Sequence, residues 1–245
     1  MEQSERKEHC AMENNSAGPI IVALDVPSEE AAIQIVNDLT GLVGLYKIGL
    51  QLFTKCGPRI VTGVKATGAK VFLDLKFHDI PNTVANAVQS ACALGVDMLT
   101  IHLSGGSKMI RAAVDAAENT DTIVLGVTVL TSSTQESLRE VSVAEKVQDQ
   151  VLRLARLGID NGLRGIVASP NEAALLREAL GPEVIIVTPG VRARDAAADD
   201  QARTLTPKEA IAAGANYLVI GRPIIAQENP RQAVEAILAE IGKSN

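Results

Sequence analysis

Three charged side chains follow an apolar run near the middle of the first half of the chain: Asp74, Lys76 and Asp79. The segment Val71–Leu75, which begins with that run and includes Asp74, is typical of a buried β-strand, whose successive side chains alternate between two faces. Asp74 and Lys76 therefore share one face, and a carboxylate and an ammonium stand side by side at the strand's end. Such a pair can stabilise charge in a reaction, or it can be a structural ion pair at the rim of a sheet. The triplet alone leaves both interpretations open.

The elements that must position these groups follow from an alternation of apolar β-type runs and helical patterns that begins at Gly18. The predicted strands are Pro19–Asp25, Gly44–Gly49, Lys70–Leu75, Asp97–His102, Thr122–Val129, Gly165–Ser169, Val184–Thr188 and Tyr217–Gly221. The predicted helices are Ser28–Leu39, Pro58–Thr67, Pro81–Leu94, Gly106–Glu118, Ala144–Gly158, Asn171–Leu180, Pro207–Ala213 and Pro230–Ile241. Helix starts are supported by possible N-caps, and helix ends by glycines. The N-caps are Ser28, Asn171 and Thr206, and the glycines are Gly41, Gly68, Gly95, Gly158, Gly181 and Gly214.

Eight such units in one chain of this length predict an α/β fold, a closed (β/α)₈ barrel, formed as a single domain by residues 18–245. An open doubly wound sheet is the alternative, and the first strand lacks the Gly-x-Gly-x-x-Gly motif that would favour it. Residues 1–17 are polar and have no apolar segment of the signal-peptide type, so we expect a disordered tail there.

Polar side chains end most of the predicted strands. They are Asp25, Lys47, Asp74 with Lys76, Thr100 with His102, Thr131 with Ser132, Ser169, Arg192, and Arg222. In (β/α)₈ barrels the carboxyl ends of the strands form the active site. Because a charged group loses hydration at such a position and gains nothing unless it is paired, this recurrence favours an active site over separate structural ion pairs. We interpret His78 and His102 as packing or interface residues and not as general bases.

The loops after strands seven and eight have the composition of a phosphate site. Gly190 and Gly221 let backbone amides approach an anion, while Arg192 and Arg222 offer planar guanidinium groups. The alternative is that the two glycines only make tight turns. The long segment between Val191 and Leu205, which contains Gln201, is predicted to be a lid, with a plain surface loop as its alternative.

Composition limits the possible partners. Lys and Arg number 23 against 29 Asp and Glu, a net charge of −6, and aromatic residues are only 2% of the chain. Neither a positive field nor stacking platforms are available for nucleic acid. No apolar run is long enough to span a membrane, and three scattered cysteines match neither a disulfide framework nor a zinc site. We therefore expect a cytoplasmic protein that binds neither nucleic acid nor membrane.

The segment from Asp74 to Thr83, Asp-Leu-Lys-Phe-His-Asp-Ile-Pro-Asn-Thr, resembles the signature of the bacterial-type orotidine 5′-monophosphate decarboxylase family. Further matches lie in the same order along the chain. They are Leu24-Asp25, Tyr46-Lys47-Ile48-Gly49, Val129-Leu130-Thr131-Ser132, Thr188-Pro189-Gly190-Val191-Arg192 and Gly221-Arg222-Pro223-Ile224. The resemblance covers the chain from about residue 19 to its end, and the tail before Gly18 has no counterpart.

The resemblance implies a homodimeric barrel enzyme that decarboxylates orotidine monophosphate (OMP) to UMP, in pyrimidine biosynthesis, without metal or organic cofactor. Lys47, Asp74 and Lys76 would form a charged array with Asp79 of the other subunit, and Lys76 would protonate C6 of the pyrimidine. The implied substrate contacts are Asp25 and Lys47 with the ribose, Thr83 of the partner with a ribose hydroxyl, Thr131 or Ser132 with the pyrimidine, and Gln201, Gly221 and Arg222 with the phosphate. Pro189 and Arg192 lie at positions that the family also assigns to ligand binding.

Two alternatives remain at this point. Sugar-phosphate decarboxylases and aldolase-like synthases of the same barrel class share the Asp-x-Lys-x-x-Asp pattern but stabilise an enediolate with magnesium, which needs a further carboxylate ligand. A catalytically silent barrel that only binds a nucleotide is the other alternative. We expect such a protein to lack one of the four charged residues, and all four are present.

Overall fold

Eight parallel strands close into a barrel in the computed structural model, which describes residues 18–191 and 205–242. The strands are β1 Ile20–Ala23, β2 Leu45–Gly49, β3 Lys70–Phe77, β4 Met98–His102, β5 Ile123–Val127, β6 Gly165–Val167, β7 Ile185–Pro189 and β8 Tyr217–Ile220. Each strand pairs with its sequence neighbours, and β8 pairs with β1 to complete the ring. The predicted (β/α)₈ barrel is confirmed.

The helices of the described residues connect these strands on the outside. They are Glu29–Asp38, Leu50–Cys56, Arg59–Ala66, Pro81–Ala93, Gly106–Ala117, Gln135–Glu140, Val147–Asp160, Ala173–Leu180, Pro207–Ala212, Arg222–Ile225 and Pro230–Gly242, with 3₁₀ turns at Leu103–Gly105 and Pro170–Glu172. All eight predicted helices have a counterpart. Three short ones were not predicted: Leu50–Cys56, Gln135–Glu140 and Arg222–Ile225. Each is shorter than the two turns that a periodic apolar pattern needs to become visible.

The predicted helix ends are correct in most places. The side chains of Ser28 and Thr206 accept the N-cap hydrogen bonds of their helices. The predicted cap at Asn171 is wrong, because this residue lies within the 3₁₀ turn and the side chain of Ser169 accepts the bond from its amide. The predicted stop at Gly158 is also wrong, because the helix continues to Asp160. A β-carbon at Gly158 would lie 3.0 Å from Leu103, so close packing explains this glycine.

The core has two layers. Side chains on one strand face fill the barrel interior, and those on the other face pack against the helices. The interior layer contains Ile21, Ala23, Leu45, Phe72, Met98, Leu125, Val127, Val167, Val187 and Val219. The outer layer includes Val71 and Leu73, the neighbours of Phe72 along β3. This alternation directs the next polar side chains of β2 and β3 toward the mouth of the barrel.

Candidate active site

Lys47 and Asp74 stand together at the carboxyl end of the barrel interior. Lys47 is aligned in the sheet with Ala23 on one side and Phe72 on the other, and both of these belong to the interior layer. The Nζ atom of Lys47 lies 3.2 Å from Oδ1 of Asp25 and 3.9 Å from Oδ2 of Asp74. The lysine side chain is only 11% exposed, so its ammonium is largely enclosed between two carboxylates.

Lys76 joins the same group from the end of β3. Its Nζ atom lies 2.9 Å from Oδ1 and 3.0 Å from Oδ2 of Asp74. The backbone of Lys76 has φ 51°, in the left-handed region that a non-glycine residue seldom adopts, and the register between β3 and β4 shifts at this point. We refer to the side chains of Lys47, Asp74 and Lys76 as the charged array. The structure brings all three together, as the alternation in β3 and the strand ends predicted.

Thr100 connects to this array from β4. Its buried hydroxyl donates a hydrogen bond to Oδ1 of Asp74 at 3.0 Å and accepts one from the backbone amide of Lys76 at 2.9 Å. The sequence pattern places Thr100 near a strand end, but the family resemblance implies no role for it. The signal available was the strand alternation, because a threonine that shares the interior face of β4 with Met98 is buried there and needs a hydrogen-bond partner.

Asp25 lies at the open side of the array, with a side chain that is 50% exposed. Two glycines pack beside it. A β-carbon at Gly49 would come within 2.9 Å of the Lys47 ammonium and 3.5 Å of Asp25, and one at Gly221 would lie 3.5 Å from Asp25. The absence of a side chain at Gly49 therefore leaves room for the Lys47 ammonium, whereas a β-carbon at Gly221 would make only an ordinary contact with Asp25.

Asp79 and Thr83 are exposed, on the turn after β3 and in the first turn of the helix Pro81–Ala93. Oδ1 of Asp79 accepts a hydrogen bond from the Ile80 amide, and Ile80 itself is 65% exposed. Neither carboxylate oxygen of Asp79 is within ion-pair distance of the array in this single chain, among the contacts that the described residues make. The position agrees with a contribution to a neighbouring subunit's site, which remains a prediction.

The predicted binding residues of the other strands lie around the same rim. Thr131 is half-buried and Ser132 is exposed, both after β5, and Pro189 is the half-buried last residue of β7. Gly190 follows with φ 82°, so the chain turns there in a conformation that favours glycine. Arg222 is exposed at the start of a short helix after β8. Arg192, Gln201 and the greater part of the predicted lid lie outside the described residues.

Two histidines flank the array. The rings of His78 and His102 are 5.4 Å apart between centroids, tilted by 31°. Burial lowers the pKa of His102 below its ordinary value of 6.5, and repulsion from His78 and Lys76 adds to the shift. Nδ1 of His102 lies 2.7 Å from the Ser104 hydroxyl and accepts from the Ser104 amide. Because that amide can only donate, Nδ1 of the neutral ring carries no proton and the proton sits on Nε2.

The arrangement concentrates two ammonium groups and two carboxylates at the mouth of an apolar barrel. A cation held in a poorly hydrated pocket can stabilise negative charge that develops on a bound molecule. Within residues 18–191 and 205–242 there is no group of three or more His, Cys, Asp or Glu side chains spaced to hold a metal ion. The space between Asp25 and Asp74 is occupied by the Lys47 ammonium.

The fold and this site define a (β/α)₈-barrel enzyme with a lysine- and aspartate-based centre at the carboxyl ends of its strands. Residues 18–237 match the model of the "Orotidine 5'-phosphate decarboxylase / HUMPS family". The chain belongs to this family. None of the helices in the described part of the chain has the length and apolar character needed to cross a membrane.

Curated relatives carry the first of these two names. The orotidine 5'-phosphate decarboxylase of Syntrophotalea carbinolica is 50% identical over 229 residues, which cover 91% of this chain and 94% of that protein. The enzyme of the same name from Opitutus terrae is 51% identical over 224 residues, which cover 91% and 97%. The crystal structure of orotidine 5'-phosphate decarboxylase from Lactobacillus acidophilus superimposes with a TM-score of 0.80 at 36% identity, over 92% of this chain and all of that chain.

Proposed function

We propose that the protein is an orotidine 5′-monophosphate decarboxylase, which converts OMP to UMP and carbon dioxide. The observation that carries this proposal is the charged array, in which Asp74 holds the Lys76 ammonium at 2.9 and 3.0 Å beside Lys47. Its relatives of about half identical sequence bear this enzyme's name over nearly their full length. Family membership, fold and array support the same reaction.

Decarboxylation of OMP needs a cation close to C6 of the pyrimidine. The bond between C6 and the carboxylate breaks, carbon dioxide leaves, and the electron pair stays on C6 as a carbanion that the ring cannot delocalise well. A nearby ammonium stabilises this charge and then transfers a proton to C6. Lys76 is the proposed donor, and solvent returns a proton to its amine after the product leaves. Asp74 keeps the ammonium in place and its negative charge opposes the substrate carboxylate, which favours loss of carbon dioxide.

One ammonium supplies only part of the acceleration. A single electrostatic contact contributes about 3–4 kcal/mol, whereas demanding enzymes lower the barrier by up to about 23 kcal/mol. Binding energy from the remote parts of the substrate must supply the difference. In the proposed complex Asp25 and Lys47 bind the ribose hydroxyls, Thr131 or Ser132 binds the pyrimidine edge, and Gly221, Arg222 and Gln201 bind the phosphate. Pro189 and Arg192 contribute to the same end of the site.

The proposed active form is a homodimer in the cytoplasm, with Asp79 and Thr83 completing the neighbouring subunit's site. Both residues are exposed next to Ile80, an apolar side chain that a partner would cover. Cys56 and Cys92 are free thiols, which suits a reducing compartment. The role in pyrimidine biosynthesis follows from the proposed substrate and product.

The structural argument against a magnesium-dependent enediolate reaction is the placement of Lys47. Its ammonium lies between the carboxylates of Asp25 and Asp74, and so the charge between these two acids is supplied by the protein itself. A divalent cation at that point would meet a like charge at close range.

The deciding experiment follows the loss of OMP absorbance by the purified protein, with and without a chelator. We expect conversion to UMP at the same rate in both, and loss of that conversion in Lys76→Ala. Activity that requires added magnesium, or that acts on a sugar phosphate while OMP stays intact, would overturn the proposal. Binding of OMP without turnover would instead identify a silent barrel.

A further inference from the structure

The Thr100 side chain is hydrogen-bonded both to the carboxylate of Asp74 and to the backbone amide of Lys76. The side chain has no exposure to solvent, and Thr100 is the central residue of β4. A hydroxyl group donates one hydrogen bond and accepts others, and here one bond goes to Oδ1 of Asp74 and another comes from the amide of Lys76. A single buried atom therefore fixes two parts of the charged array.

The bond to the Lys76 amide takes the place of a regular contact between strands. Leu73 of β3 pairs with Leu99 of β4, and the next pair is Phe77 with Ile101, so the register between the two strands shifts between Leu73 and Phe77. Within this gap the amide of Lys76 donates to a side chain of β4. Lysine in the left-handed region is disfavoured by contact of its β-carbon with the backbone, and persists where surrounding groups hold it. The hydrogen bond from the Lys76 amide to the Thr100 hydroxyl is one such interaction.

The bond to Asp74 sets the orientation of the carboxylate. Oδ1 receives the Thr100 hydroxyl at 3.0 Å and the Lys76 ammonium at 2.9 Å, while Oδ2 is the oxygen that lies 3.9 Å from Lys47. Rotation of the carboxylate about its last bond would break the Thr100 bond and change the distances to both lysines. The Thr100 hydroxyl therefore fixes the plane of the Asp74 carboxylate, and with it the distance between the two ammonium groups.

We propose that Thr100 is a positioning residue, whose hydroxyl holds Asp74 and the left-handed backbone of Lys76 in the geometry that the reaction uses. It touches no substrate and acts through its two neighbours. The inference rests on the proposed function, because it concerns the array that performs that reaction.

The test replaces the hydroxyl without changing the volume. Thr100→Val removes both hydrogen bonds, and Thr100→Ser keeps the hydroxyl. The matched control is Thr128→Val, because Thr128 is equally buried and its hydroxyl donates to the backbone carbonyl of Val167 in β6 instead of to a member of the array. We expect Thr100→Val to lower kcat for OMP by about 10- to 100-fold with little change in KM, since small displacements of reacting groups have effects of that size. Thr100→Ser should recover most of kcat, and Thr128→Val should lower the melting temperature by a similar amount while kcat changes little.

Crystal structures of the substrate-free variants give a readout that does not depend on activity. In Thr100→Val we expect the Lys76 Nζ to Asp74 Oδ1 separation to exceed about 3.5 Å or Lys76 to leave the left-handed region, because neither is held any longer. An unchanged array in that structure, or equal kcat losses in Thr100→Val and Thr128→Val, would overturn the role of Thr100. If the wild type does not convert OMP at all, the proposed function fails, and the crystal comparison alone still decides whether the hydroxyl positions the array.

Discussion

The Lys76 ammonium lies 2.9 and 3.0 Å from the two carboxylate oxygens of Asp74, two residues earlier in the same strand. In a regular strand, residues two apart share a face but their α-carbons are separated by about 6.6 Å. The left-handed backbone at Lys76 changes the direction of its side chain at the strand's end, and the long side chain then reaches its acidic neighbour. The cation is therefore in place before any substrate arrives, which is the condition for efficient electrostatic stabilisation.

We expect Lys76→Ala to reduce kcat/KM for OMP by about 10²- to 10³-fold or more, because the developing charge at C6 loses its cation. The melting temperature should change little, since the pair is partly exposed to solvent. Lys65→Ala is a matched control. Its Nζ atom also lies 2.9 Å from an aspartate, Asp97, but this pair sits before β4 at the opposite end of the barrel. Steady-state kinetics that fall equally in both variants would contradict the assignment.

The architecture was predictable because each unit carries its own local signals. Apolar runs of four to eight residues, N-caps such as Ser28 and Thr206, and glycines that take positive φ after helices all indicate the same alternation. The charged strand ends were predictable for a related reason. Parallel strands of one barrel bring their carboxyl ends to a single rim, so side chains far apart in sequence meet there.

The parts that could not be predicted depend on contacts between elements. The left-handed φ of Lys76 and the shifted register coincide with a hydrogen bond to Thr100, 24 residues away in the chain. Gly158 looked like a helix end, yet it lies inside a helix, at a position where Leu103 and Leu163 leave little space for a side chain. Neither the backbone conformation of Lys76 nor the helical position of Gly158 is indicated by the neighbouring sequence. The proposed contribution of Asp79 and Thr83 to a neighbouring subunit's site would likewise depend on a second chain.

The phosphate assignment predicts a substrate-dependent effect for Arg222. We expect Arg222→Ala to lower kcat/KM for OMP by about 10²-fold, because losing a charged partner of a bound anion costs about 2–5 kcal/mol. With orotidine, which lacks the phosphate, the wild type and the variant should be equally slow. Arg164→Ala is the control, since Arg164 is exposed but precedes β6 at the other end of the barrel. A similar loss with both substrates would mean that Arg222 acts elsewhere than on the phosphate.

The proposed sharing of the site between two subunits predicts that mixing two inactive variants restores activity. Lys76→Ala and Asp79→Ala should each be nearly inactive, yet a mixed dimer would contain one intact site. Random exchange of subunits should restore about a quarter of wild-type activity, because half of the dimers are mixed and each has one working site of two. Mixing Lys47→Ala with Lys76→Ala is the control, because one chain supplies both residues. No recovery in a tagged, verified mixed dimer would refute the contribution of Asp79.

The lowered pKa of His102 predicts how the free energy of unfolding changes with pH. Burial, with repulsion from His78 and Lys76, lowers its pKa in the folded protein, so the unfolded chain binds the proton more readily. Its contribution to stability is present above pH 6.5 and is lost as pH falls from 6.5 through the lowered value. Urea unfolding between pH 8 and 5 should show this decline, at most about 1.4 kcal/mol per pH unit from one group. His102→Gln should flatten it and His9→Gln should not. A slope that His102→Gln leaves unchanged would assign the effect to other groups.

Gly49 predicts that one methyl group can disturb the array while the fold stays intact. Its backbone has φ −95°, which any residue adopts, so alanine introduces no strain. The new β-carbon would lie 2.9 Å from the Lys47 ammonium and must displace it, because the lysine tip is the part that can move.

Since Lys47 is proposed to bind the ribose and to lie beside Asp74, we expect kcat/KM of Gly49→Ala for OMP to fall by about 10- to 100-fold. Gly63→Ala is the matched control, because its methyl would lie 3.2 Å from the tip of Glu29, in the helix layer outside the barrel. Kinetics and melting curves of both variants test the prediction, and wild-type turnover in Gly49→Ala would show that Lys47 tolerates displacement and has no fixed role in the site.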